Sequence, residues 1–116
     1  MRIEWKSITC AAIVGVAFAA AYLPAYAADE EAARARARQS NCFKCHAVDK
    51  KKDGPAWKDV AAKYAGKADA VARLTKHITT GEKAKFPDGH EEDHAIVKSK
   101  DEAQIKNLVE WILALK

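Results

Sequence analysis

Two thiols two residues apart, followed at once by an imidazole, form the segment of this chain with the clearest capacity for chemistry: Cys42-Phe43-Lys44-Cys45-His46. Three chemistries use such a pair. A structural zinc site needs four ligands, usually as two pairs, and no second cysteine pair follows. Thiol–disulfide exchange at C-x-x-C spacing belongs after a strand in an α/β fold, and no strand pattern is legible here. Covalent haem attachment needs only what is present: each thiol adds to one vinyl group, and the next residue offers its imidazole to the iron. One haem c on Cys42 and Cys45 is the expected cofactor. His46 is then the proximal ligand through Nε2, and its other ring nitrogen needs an acceptor.

The chain has 116 residues. Arg2 and Lys6 precede an almost wholly apolar run from Ile8 to Leu23, and Ala25-Tyr26-Ala27 is a small-x-small cleavage pattern before Asp29-Glu30-Glu31. Residues 1–27 are therefore expected to be a secretory signal, with a single domain over 28–116 and no stable membrane insertion after cleavage. Cys10 leaves with the signal, which removes any disulfide framework from the domain. Without Arg2, Lys6 and Glu4, 18 basic and 15 acidic residues remain. That mild excess has no basic cluster interleaved with aromatics, so no nucleic-acid partner is expected. A core this small is commonly supported by a large cofactor.

The elements that must position the motif read as helices. Asp29–Gln39 is alanine-rich, with acids first and arginines later, in keeping with the helix dipole. After the Asp53-Gly54-Pro55 turn, Trp57, Val60, Ala61 and Tyr64 recur at helical spacing up to Gly66. Val71, Leu74 and Ile78 mark a helix over 69–79, stopped by Gly81. Residues 82–98 are polar and irregular, a long loop of the kind that is usually functional or disordered. The last helix opens on Ser99-Lys100-Asp101-Glu102, read as a capping box with Ser99 as N-cap. It carries Ile105, Leu108, Val109, Ile112 and Leu115 as a stripe, with Trp111 at its edge. The fold class is all-α.

The segments "CFKCH", "DGPAWKDVAAKYAGK" and "DEAQIKNLVEWILALK" resemble the small monohaem class I c-type cytochromes of bacterial periplasms. The resemblance covers nearly the whole of 28–116. It implies about four helices wrapped around one haem, and single-electron transfer between periplasmic redox proteins rather than enzymatic turnover. It also implies that the Pro55 carbonyl accepts the Nδ1 proton of His46, and that the first helix crosses the last near Trp111. Trp57, Tyr64 and Trp111 would fill the core around the porphyrin. His77 resembles a position where relatives carry a basic group near a haem propionate.

One departure from that family matters most. Its usual distal ligand is a methionine in the loop before the last helix, and the sole methionine here is Met1. His90, His94, Lys83 and Lys85 are the candidates in that loop. A neutral imidazole binds iron near neutral pH, whereas lysine must first lose a proton at a pKa of about 10.4. Aligning "PDGHEED" with the family's methionine turn favours His90; counting back from Asp101 lands beside His94. If "GHEEDH" were helical, both would share one face. Bis-histidine ligation would lower the reduction potential relative to His/Met carriers. The alternative is an open or labile sixth site, as in a gas-binding or sensing haem protein. Lys44, Lys50, Lys51 and Lys52 would offer an acidic redox partner a docking surface.

Overall fold

The computed structural model describes Gly15 and residues 27–116. The expected signal, residues 1–27, lies almost entirely outside the described residues. From Ala28 onward the chain forms four α-helices, one 3-10 turn and a two-stranded hairpin.

Helix α1 (Glu30–Gln39) starts at Asp29, whose side chain accepts from the Ala32 N–H. That bond satisfies one of the orphan donors of the first turn. Ala33 and Ala37 are fully buried where α1 meets α4 (Glu102–Leu113). Small side chains at the crossing let Trp111, 5 % exposed, fill the gap. Arg34 lies 5.0 Å over the Trp111 ring. Asp29 and Asn107 close the same junction, since the Asp29 N–H donates to Asn107 Oδ1 (2.7 Å) and Asn107 Nδ2 donates to the Asp29 carbonyl (2.9 Å).

Helix α2 (Trp57–Tyr64) and helix α3 (Ala70–Thr80) also pack on α4. Ile105, Leu108, Val109 and Ile112 of α4 join Trp57, Leu74 and Val97 in one core. Gly81 ends α3 at φ +67°, a left-handed C′ position that glycine adopts without a Cβ penalty.

Two local expectations change. The loop over 82–98 contains β1 (Lys83–Lys85) and β2 (Glu91–Asp93), paired antiparallel with Lys83 opposite Asp93 and Lys85 opposite Glu91. Three-residue strands are too short to show alternation. Their pairing comes from the Pro87-Asp88-Gly89 turn and from opposite charges across the ladder, including a 2.6 Å Lys83–Asp93 ion pair. The N-cap of α4 is Asp101, not Ser99: its carboxylate accepts from the Ala103 and Gln104 N–H groups. Ser99 instead accepts from the Asp101 N–H and donates to Gln104, so both residues work at the same end. The dominant architecture is all-α, as expected.

Candidate haem-binding site

The proximal side is built from short-range contacts. The 3-10 turn Cys42–Lys44 lets the Cys45 and His46 N–H groups both donate to the Cys42 carbonyl. Both cysteines are free and half-buried, and burial raises the Cys42 thiol above its ordinary range. Gly54 N–H then donates to the Cys45 carbonyl at 2.7 Å, folding the Asp53–Pro55 turn over His46. His46 Nδ1 donates to the Pro55 carbonyl at 2.8 Å. The approach is so close that a Cβ on Gly54 would lie 2.5 Å from His46 Cε1. Only glycine fits there. Behind His46, the Trp57 ring lies nearly parallel at 5.6 Å, and Trp57 in turn meets Trp111 edge-on at 5.5 Å.

The distal side is assembled by residues far apart in sequence. The strap 94–98 leaves the hairpin and crosses the end of α3. His94 N–H donates to the Glu82 carbonyl (2.9 Å) and Val97 N–H to the Ile78 carbonyl (2.8 Å). At its far end, Lys98 N–H donates to the buried Ser40 hydroxyl (2.9 Å) and Arg36 donates to the Lys98 carbonyl (2.8 Å).

The two loop histidines have different surroundings. His90 sits at the hairpin tip, exposed, stacked on Phe86 at 4.5 Å. Both of its ring nitrogens are engaged, Nδ1 by Asp88 and Nε2 by Glu92 at 3.1 Å. Asp88 first, then Glu92, raise its pKa. The segment between the histidines is a strand, so the shared helical face does not form. His94 is half-buried and turned inward, its ring centre 6.0 Å from that of His46. Its Nδ1 donates to the Ala95 carbonyl at 2.8 Å. His77 lies against it, ring centres 4.3 Å apart, and donates from Nδ1 to Glu82 at 3.1 Å.

His46 and His94 are therefore matched. Each donates its Nδ1 proton to a backbone carbonyl, which in a neutral ring leaves the Nε2 lone pair free. Burial holds both imidazoles below their ordinary pKa, favouring that neutral form. Two imidazoles bound through Nε2 to one metal at about 2 Å each, with about 1 Å from nitrogen to ring centre, have centres about 6 Å apart. The observed 6.0 Å between ring centres leaves space for one metal ion between the two rings.

Sequence reasoning did not single out Glu82, Ser40 or Arg36. For Glu82 the sequence offers only half a signal: Arg73, Lys76 and His77 share one face of α3 at helical spacing, but their acid partner lies outside the helix. Arg73 and Lys76 reach its carboxylate at 2.9 and 3.4 Å. Its pKa is held down to about 2, first by the bond from His77 and then by those from Arg73.

Four helices around a C-x-x-C-H turn define a small c-type cytochrome. The sequence matches the Cytochrome c family over residues 30–116, and the chain belongs to that family. It is 47 % identical over 75 residues to cytochrome c-551 of Pseudomonas denitrificans, covering 65 % of this chain and 87 % of that protein. Among solved structures it is similar to the Class 1 cytochrome MtoD from Sideroxydans lithotrophicus ES-1. That match has 62 % identity and a TM-score of 0.74, over 77 % of this chain and 98 % of that one. Cytochrome c552 of Nitrosomonas europaea follows at 37 % identity and TM-score 0.59, over 72 % and 99 %. The protein is an electron carrier with one haem c held covalently through Cys42 and Cys45. No helix among the described residues is long and apolar enough to cross a membrane.

Proposed function

We propose that this chain is a periplasmic one-electron carrier with His46 and His94 as axial ligands, secreted by a signal over residues 1–27. The observation that carries the reading is the paired geometry of the two rings: 6.0 Å between centres, with each Nδ1 donating to a carbonyl. The alignment of "PDGHEED" points to His90 instead, but the ring nitrogens of that side chain both face carboxylates at an exposed tip. The haem, when bound, supplies a one-electron iron couple.

The chain's own residues do the rest. Pro55 and Ala95 fix the two imidazole tautomers and strengthen them as donors. Trp57, itself buried, backs the His46 ring. Histidine in place of the family's methionine sets a lower potential. The exposed Lys44, Lys50 and Lys51 near the attachment turn suit an acidic redox partner.

A potentiometric titration of the purified holoprotein tests this reading. It should follow a one-electron Nernst curve with a midpoint below those of His/Met carriers. The ferric spectrum should be low-spin and lack the band of methionine thioether ligation. A high-spin ferric ground state, or a potential in the His/Met range, would sink the assignment.

A further inference from the structure

Glu82 reaches His94 by two routes, one direct and one through His77. Its carbonyl accepts the His94 N–H at 2.9 Å. Its carboxylate accepts from His77 Nδ1 at 3.1 Å, and the His77 ring lies 4.3 Å from the His94 ring at 46°. One route fixes the backbone of His94 and the other supports the side of its ring. The carboxylate is itself held by Arg73 at 2.9 and 3.2 Å and by Lys76 at 3.4 Å.

The fold explains why one residue does both. Gly81, in the left-handed conformation, reverses the chain directly after α3. Glu82 is thereby returned beneath the last two turns of the helix, where Arg73, Lys76 and His77 point. The strap then passes the same spot, with the His94 carbonyl 3.6 Å from where a Gly81 Cβ would stand. None of the other ion pairs of the hairpin reaches the histidine cluster: Lys83 pairs with Asp93, and His90 with Asp88 and Glu92.

We propose that Glu82 is the positioning residue for the distal ligand, acting through its own carbonyl and through His77 to keep His94 facing His46. His77 is a ring support in this arrangement and Arg73 is the anchor of the carboxylate. The consequence is kinetic. With Glu82 in place, the strap releases His94 rarely, and an external ligand reaches the sixth position slowly. Removing the carboxylate frees His77 to rotate, and His94 loses the support on its side.

The proposal rests on His94 being the distal ligand, and the experiment separates the two. Cyanide binding to the ferric holoprotein is followed by stopped flow in the wild type and in Glu82→Gln, Glu82→Ala, His77→Ala and Lys76→Ala. Thermal unfolding is measured in parallel. Losing a hydrogen bond to a charged group corresponds to roughly a tenfold change or more, so Glu82→Ala and His77→Ala should each bind cyanide roughly tenfold faster.

Glu82→Gln keeps an acceptor and should fall between them and the wild type. Lys76→Ala, which removes only the longer and more exposed bond, should change the rate less than about twofold. The double variant Glu82→Ala/His77→Ala should be no faster than the quicker single one, because both act on one contact. A general loosening of the fold would instead accelerate cyanide in proportion to lost thermal stability, for Lys76→Ala as well. Wild-type cyanide rates in Glu82→Gln and His77→Ala overturn the positioning role, even if Glu82→Ala fails to fold. A low-spin ferric spectrum retained in His94→Ala overturns the ligand assignment on which it rests.

Discussion

The loop 40–57 and the segment 81–98 each turn one imidazole inward, His46 and His94, yet they are held in opposite ways. His46 is fixed by neighbours: Cys42, Pro55 nine residues on, and the turn through Gly54. His94 is fixed by remote partners, through Glu82 and Ile78 of the α3 end and through Ser40 and Arg36, about sixty residues away. A local arrangement forms as soon as its own turn forms. A remote one exists only when α1, α3 and the strap are all docked, so the distal side is the part that opens first in sub-global fluctuations.

The largest expected effect falls on both regions together. Trp111 backs Trp57, which backs His46, and it also fills the α1–α4 crossing from which Ser40 and Arg36 extend. Trp111→Ala should cost about 3–5 kcal/mol in denaturant unfolding. A loss below about 1 kcal/mol would mean that the crossing is not the common support.

The next two changes split the regions. Gly54→Ala sets a Cβ 2.5 Å from His46 Cε1, an overpacking expected to cost about 1–3 kcal/mol and to disturb the proximal side alone. Ser40→Ala leaves the Lys98 N–H without its acceptor, at about 1–3 kcal/mol, and should loosen the distal strap alone. Amide hydrogen exchange read residue by residue distinguishes them. Faster exchange at Val97 and Lys98 in Ser40→Ala, with Gly54 and His46 amides unchanged, is the expected pattern, and uniform acceleration would erase the contrast.

The smallest effect concerns acid. The folded pKa of Glu82, about 2, lies below its ordinary 4.5, so its contribution to stability is fully present above pH 4.5 and is lost as pH falls through about 2. Glu82→Gln should flatten that part of the acid-unfolding profile. An unchanged profile would place the acid sensitivity elsewhere.

The same contrast decides what could be read from the chain. "CFKCH" announces the haem-attachment turn because attachment chemistry demands that order of residues. The apolar stripe Ile105, Leu108, Val109, Ile112 marks α4 because burial on one face requires that period. Cap identity at α4 was less legible: Ser99 and Asp101 are both good N-caps, and the extended backbone of Asp101 decides between them. The hairpin was hidden by its brevity and its charge. His90 and His94 are of one residue type, four positions apart, and local alignment ranks them by register. The difference between them lies in tertiary contacts: acids at the tip for one, the end of α3 for the other. Glu82 was obscured for the same reason, since its partners Arg73 and His77 make sense only once Gly81 has turned the chain back.

The ferric absorption spectra of the holoproteins His94→Ala and His90→Ala decide which histidine completes the iron's coordination. His94→Ala should become high-spin, while His90→Ala stays low-spin with stability within about 0.5 kcal/mol of the wild type. A low-spin His94→Ala beside a high-spin His90→Ala would transfer the ligand to His90.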